Sequence, residues 1–258
     1  MGLVSKTMII THNINWPHCL SKQIYPAIKK GWKDDGKVTH FFWGLGADNV
    51  KKIKDVKKKG EDWWFIDTGY ITSQIKRYPT PKIIDYDNTY FRICKGSLHS
   101  VDMKPAKENV KLCQHVWKNN SNGHILVTPS SETVTRYLYG MTQSQWIETV
   151  ISRLSKQTNK QIRVRNKPRP GNQWWGTDIK SDLINAYCLV TNMSLAAIDA
   201  VLEGIPVICD KKHVCRPIMS KDINKLNKPD INNWYAAMKE NQFTLEEIEN
   251  GTAYEYFR

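Results

Sequence analysis

The sequence predicts an α/β protein of two Rossmann-like domains that carry parallel sheets, and three observations predict it. From His124 to Cys209 short apolar runs alternate with helical stretches, the pattern of right-handed βαβ units on a parallel sheet. The length, 258 residues, suits one large domain or two small ones, at about 100–200 residues per domain. Hydrophobic residues make up 40% and charged residues 24% of the chain, with ten Trp, eleven Tyr and six Phe, enough apolar mass for real cores and against disorder. The polar run Lys118-Asn119-Asn120-Ser121-Asn122-Gly123 marks the expected boundary, giving domains 1–120 and 121–258.

In the first half, Thr7–Thr11, Val38–Trp43 and Trp63–Asp67 read as strands. Asp48–Lys59 reads as a helix with Val50, Ile53 and Val56 inward and Lys51, Lys52, Lys54, Lys57, Lys58 and Lys59 outward. The second half opens on the strand His124–Thr128, stopped by Pro129-Ser130-Ser131. Thr142 with Gln145 forms a capping box for a helix whose apolar face is Trp146, Ile147, Val150, Ile151 and Leu154. Gln161–Lys167 alternates strictly, which sets Ile162 and Val164 on one face and Arg163, Arg165 and Lys167 on the other. A loop bearing Trp174 and Trp175 leads to a short helix, Asp178–Ala186, then a strand, Tyr187–Thr191. After the turn Asn192-Met193 comes a helix, Ser194–Glu203, stopped at Gly204, and a buried strand, Ile205–Cys209. The tail carries a helix near Trp234 and a capped one from Thr244 to Gly251, expected to pack back on the first domain.

Composition narrows the function classes. The N-terminal stretch lacks a signal-peptide pattern and no run approaches the roughly 18 apolar residues of a membrane span, so a soluble, cytoplasmic protein with no membrane partner is expected. The six cysteines form no CxxC pair and read as reduced thiols, and Cys209, His213 and Cys215 lack a fourth ligand for a metal site. A net charge of +13 favours a polyanionic partner. Gly31–Val38 fits GxxxxGK but ends in Val where a magnesium-binding Ser or Thr belongs, and it precedes a strand; no GxGxxG follows a strand either.

The strongest signal is Tyr187–Asp210, where a buried strand hands over to a helix capped by Ser194, so free backbone N–H groups point out of the sheet's carboxyl edge, a place suited to phosphate. Arg163, Arg165 and Lys167 end at the same edge, and guanidinium forks suit phosphate oxygens. The run Ser194-Leu195-Ala196-Ala197-Ile198-Asp199-Ala200-Val201-Leu202-Glu203-Gly204-Ile205-Pro206-Val207-Ile208 resembles the donor-binding signature of GT-B glycosyltransferases. The chain as a whole resembles phage-encoded proteins of this fold, some of which modify DNA bases.

The resemblance implies a nucleotide-diphosphate sugar as co-substrate, with no metal and no further cofactor. Its diphosphate would lie on Met193, Ser194 and Leu195 with Arg163, Arg165 and Lys167, and its ribose on Asp199, which stands where the family usually has Glu. The resemblance also implies that the two domains face one another across a cleft, the first holding the acceptor and supplying the base. Asp67, at an expected strand end before Gly69, is the first candidate and His12 the second. The lysines Lys51, Lys54, Lys57, Lys58 and Lys59 point to double-stranded DNA, and the phage-protein resemblance implies a hydroxylated base in it as acceptor. A nucleotide-sugar epimerase, a non-catalytic nucleic-acid-binding module and a polysaccharide glycosyltransferase remain the alternatives.

Overall fold

The structure, a computed structural model, describes residues 8–12, 20–33, 36–46, 48–76, 82–107, 115–169, 173 and 176–258. Thr7, Cys19, Cys113, Trp174 and Trp175 lie outside the described residues. The chain divides into two compact units, Met1–Lys104 with Met238–Arg258, and Pro105–Ala237.

The first unit begins with strand β1 (Met8–His12), helix α1 (Ser21–Gly31), strand β2 (Val38–Trp43) and helix α2 (Asn49–Lys59). Strand β3 (Asp62–Ser73), a small pair β4 (Ile75–Lys76) and β5 (Lys82–Ile83), and strand β6 (Thr89–Lys95) follow. The main sheet has the order β1-β2-β3-β6. Its first three strands are parallel and β6 runs antiparallel to β3, so this sheet is mixed where the sequence predicts a parallel one. A β3-to-β6 return along the same edge needs no helical crossover, which is why no helix separates them. On α2, Ile53 and Val56 are buried while Lys51, Lys54, Lys57, Lys58 and Lys59 are exposed, and Gly60 ends the helix at φ 71°. That division of faces is the one the sequence predicts.

The second unit contains β7 (His124–Thr128), α3 (Glu132–Tyr139), α4 (Gln143–Ser155) and β8 (Ile162–Val164). Next come α5 (Ile179–Leu183), β9 (Ala186–Thr191), α6 (Ala196–Leu202), β10 (Val207–Ile208) and α7 (Asn232–Glu240). The sheet order is β10-β9-β7-β8 and every pairing is parallel. All five residues of β7 are buried, as a central parallel strand covered on both faces requires. Trp146, Val150 and Leu154 of α4 pack on Ile125, Val127, Cys188 and Val190. Leu126 and Leu189, one residue out of phase, turn to the other face. Helix α6 contacts β9 and β10, with Ala197, Ile198 and Val201 buried. The capping box on Thr142 and Gln145 is present. The polar run at 118–123 belongs inside this unit: Lys118 N–H donates to the Gly204 carbonyl at 2.8 Å and Asn120 Nδ2 to that of Ala186 at 2.9 Å.

Two short helices end the chain, α8 (Leu245–Glu249) and α9 (Thr252–Phe257), and both contact α1. Phe243 exchanges two backbone hydrogen bonds with Phe91, at 2.7 and 2.8 Å. Ile248 and Ala253 join Ile24, Ile28, Phe41, Ile66 and Phe91 in the first unit's core. Each such fully buried large side chain contributes about 1.5–3 kcal/mol.

Candidate functional sites at the carboxyl edges of the two sheets

In chain order the second unit lays β8 on one side of β7 and then β9 and β10 on the other. The winding therefore reverses between β7 and β9. In open α/β sheets a crevice opens at such a reversal, because the loops leaving the two central strands turn to opposite faces. Here those loops are Pro129-Ser130-Ser131 and Asn192-Met193-Ser194-Leu195.

A polar network fixes both loops. Asn192 Oδ1 accepts the N–H of Ser130 and that of Met193, each at 2.8 Å, and Asn192 Nδ2 donates to Thr135 Oγ1 at 3.3 Å. Met193 N–H also reaches Ser130 Oγ at 3.1 Å. The Thr191 hydroxyl donates to the Thr128 carbonyl across the strand pair and accepts the Ser194 N–H at 3.2 Å. The β10 loop supports the same edge. Cys215 N–H donates to His213 Nδ1 at 3.0 Å, so the ring proton sits on Nε2 and donates to the Ser194 carbonyl at 3.0 Å. Tyr139 donates to Asp210 at 2.6 Å, and burial with that carboxylate raises the phenol far above its ordinary range.

Helix α3 also opens at this edge, capped by Ser131, whose Oγ accepts the Val134 N–H at 3.5 Å. Its first-turn amides and positive dipole end face outward from the carboxyl edge. Glu132 in that turn is held below the usual carboxylate range by the Gln143 N–H and Arg136. Sequence reasoning missed α3, Ser130 and Asn192. The available signals were Ser131 as a cap, Gly140 as a stop and an Asn directly after a buried strand; α3 lacks a regular apolar stripe, with only Thr135 buried.

The predicted donor-site residues fall differently from expectation. Ser194 precedes the N-cap of α6, which is Leu195, and its Oγ accepts the Ala196 N–H at 3.3 Å. Helix α6 has seven residues, shorter than the predicted span. Met193 is buried and its N–H is committed to Asn192 and Ser130, so it holds the loop in place, while Leu195 is half-buried. Arg163 and Lys167 are exposed, and Arg163 Nε donates to Gln161 at 3.0 Å. Arg165 is buried, paired with Asp182 and donating to the carbonyl and hydroxyl of Thr177 at 3.0 Å each. Its guanidinium is committed to holding the start of α5, because β8 ends at Val164 and the face alternation stops there. The expectation of a phosphate fork at Arg165 is corrected accordingly. Asp199 lies on the surface of α6, yet neighbouring atoms keep enough water from its carboxyl to push it up to about 6, with Asp178 adding to the shift.

In the first unit, β3 does not end at Asp67 before a glycine turn but continues to Ser73. Gly69 sits inside the strand because a side chain there would meet Gln242 Oε1 at 2.8 Å and Tyr90 at 2.9 Å. Asp67 accepts from Arg92 at 3.0 Å and from the Thr68 N–H at 2.7 Å. Asp67 lies within the strand and not at its end, so the strand-end position that recommended it as the base is absent. His12 ends β1 at the carboxyl edge, half-buried, its ring stacked on Phe42 with centroids 4.1 Å apart. His12 Nε2 lies 2.9 Å from His40 Nδ1, and His40 Nε2 lies 2.8 Å from Glu61 Oε2. Burial lowers His12 to about 4, with His40 and Lys52 acting in the same direction and Asp48 against. Among α2 lysines, Lys57 lies 5.0 Å from the centre of the Trp63 ring. Among the described residues no cluster of His, Cys, Asp and Glu could hold a metal, and no helix is long and apolar enough to cross a membrane.

No protein-family profile matches the chain, and no curated protein matches it. Twelve solved chains match in structure. One is Thermosulfurimonas dismutans KpsC, beta Kdo 2,7 transferase, with a TM-score of 0.47 and 11% identity over 96% of this chain and 98% of that one. Another is Thermosulfurimonas dismutans KpsC, beta Kdo 2,4 transferase, with a TM-score of 0.44 and 10% identity over 92% of this chain and 91% of that one.

Proposed function

We propose that the protein is a glycosyltransferase that takes its sugar from a nucleotide-diphosphate donor bound by the second unit. The observation that carries this reading is the reversal of winding between β7 and β9, where the 129–131 and 192–195 loops meet with hydroxyls, backbone amides and the N-terminus of an eight-residue helix. Such an edge suits a diphosphate, and fixed dipoles there would stabilise the leaving group as its bond to the sugar breaks. Asp199 is assigned to the ribose hydroxyls, and exposed Arg163 and Lys167 to the diphosphate's outer oxygens. In the first unit His12 is assigned the proton of the acceptor hydroxyl. No cofactor is assigned beyond the donor itself.

The acceptor assigned is double-stranded DNA carrying a hydroxylated base, on the exposed lysines Lys51, Lys54, Lys57, Lys58 and Lys59 of α2. The first experiment is a thermal-shift panel of nucleoside diphosphates and their sugars, followed by transfer assays with the donors that bind. A ligand at 100 times its Kd stabilises the folded protein by about 2.7 kcal/mol, a shift well above noise. A panel without a single stabilising nucleotide would remove the reading. Product from donor alone would instead indicate hydrolysis or epimerisation.

A further inference from the structure

His12 is fixed by its neighbours in a way that determines which of its nitrogens can take a proton. β1 and β2 are parallel neighbours with His12 opposite Phe42, so His40, two residues before Phe42, lies on the same face. His40 is 6% exposed and Phe42 is fully buried. An ionised carboxylate accepts hydrogen bonds and donates none, so the proton in the 2.8 Å contact between His40 and Glu61 belongs to His40 Nε2. A neutral His40 then presents a lone pair at Nδ1. The proton in the 2.9 Å contact between the two rings must therefore belong to His12 Nε2. His12 Nδ1 is left with a lone pair and, among the described residues, with no hydrogen-bond partner.

We propose that Glu61 and His40 are positioning residues for His12: they fix its proton on Nε2, aim the Nδ1 lone pair as the proton acceptor, and take over the charge once a proton arrives. The inference deepens the glycosyl-transfer reading and rests on it only for the source of the proton. The step balances as follows. The acceptor O–H bond breaks and its proton goes to His12 Nδ1, while the acceptor oxygen bonds to the anomeric carbon of the donor. The bond from that carbon to the phosphate oxygen breaks, and its electron pair leaves with the phosphate. His12 Nε2 passes its proton to His40 Nδ1, so the positive charge rests on His40 beside the Glu61 carboxylate.

The relay removes a difficulty in using His12 alone. An imidazole whose charge is opposed by burial, His40 and Lys52, with only Asp48 favouring it, is a weak base when it must keep the proton itself. Moving the charge one ring inward pairs it with a carboxylate. Tyr25, from α1, donates to the His12 carbonyl at 2.7 Å, which fixes the strand end.

The test uses the whole protein labelled with ¹⁵N-histidine. Long-range ¹H–¹⁵N spectra at neutral pH are expected to show both His12 and His40 protonated at Nε2 and bare at Nδ1. A proton on His12 Nδ1 would overturn the relay. In transfer assays Glu61→Gln and His40→Gln should each lower kcat on the order of tenfold or more with donor KM unchanged, and Glu61→Asp should recover part of the loss. In a His12→Ala background Glu61→Gln should add no further loss; independent, multiplying losses would contradict the proposal. If the spectra show the expected tautomers but no donor gives product, the relay stands and the glycosyl-transfer reading falls. If transfer proceeds with His12 protonated at Nδ1, the reverse holds.

Discussion

Asp199 and Arg165 show how environment decides what a side chain can do. Withheld water and Asp178 raise Asp199 from an ordinary carboxylate value of 3.8 to about 6, so its charge opposes folding wherever it is ionised in the native state. The stabilisation it offers as a neutral acid is fully present below pH 3.8 and lost as pH rises through about 6. Asp199→Asn should therefore raise the unfolding midpoint at pH 8, with the gain shrinking to nothing near pH 4; thermal melts across that range check the sign. Because the ribose assignment needs the carboxylate, ribonucleotide affinity in the native protein should fall as pH drops through 6. Arg165 behaves otherwise. Arg165→Ala would leave Asp182 and Thr177 without their donor, and we expect a stability loss of about 2–4 kcal/mol by urea titration, at the lower end of buried-pair deletions because Asp182 is partly exposed. Nucleotide affinity of the folded variant should stay within about twofold, the mark of a structural residue.

At the scale of elements, the junction of α1 with α8 is the most exacting. A Cβ on Gly31 would overlap the Ile248 carbonyl, and Gly251, at φ 90°, starts α9 in a conformation that other residues rarely adopt. Gly31→Ala should thus cost about 1–3 kcal/mol and speed amide hydrogen exchange across residues 244–249, measurable by mass spectrometry. The capping boxes at Thr142 and Thr244, the two faces of α2 and the strand–helix alternation after His124 were legible in the sequence, because each is a local signal of cap chemistry or period. Helix α1 and strand β6 were not read: α1 carries Pro26 inside it, and Thr89–Lys95 is defined by its pairing with the distant β3. The candidate sites were legible in part. His12 was read at a strand end and Ser194 as the cap of α6, where the cap is Leu195, whereas Asn192, His213, His40 and Glu61 act through contacts between separate elements that no spacing rule encodes.

For the molecule as a whole, the net charge of +13 and the lysine face of α2 lead to a prediction about its acceptor. DNA affinity should fall with salt at a log–log slope of about −0.9 per phosphate neutralised, and replacing Lys57, Lys58 and Lys59 by Glu should flatten that slope without changing nucleotide affinity. Absence of DNA binding at low salt in a gel-shift titration would exclude that acceptor and leave the donor site intact. The claim on which the rest depends is that the crevice between β7 and β9 binds a nucleoside diphosphate. The most direct measurement is the amide chemical-shift response of the labelled protein to titration with a panel of nucleoside diphosphates. The account predicts saturable shifts centred on residues 129–132 and 192–196; saturable shifts centred elsewhere, or none from any nucleotide in the panel, would contradict it.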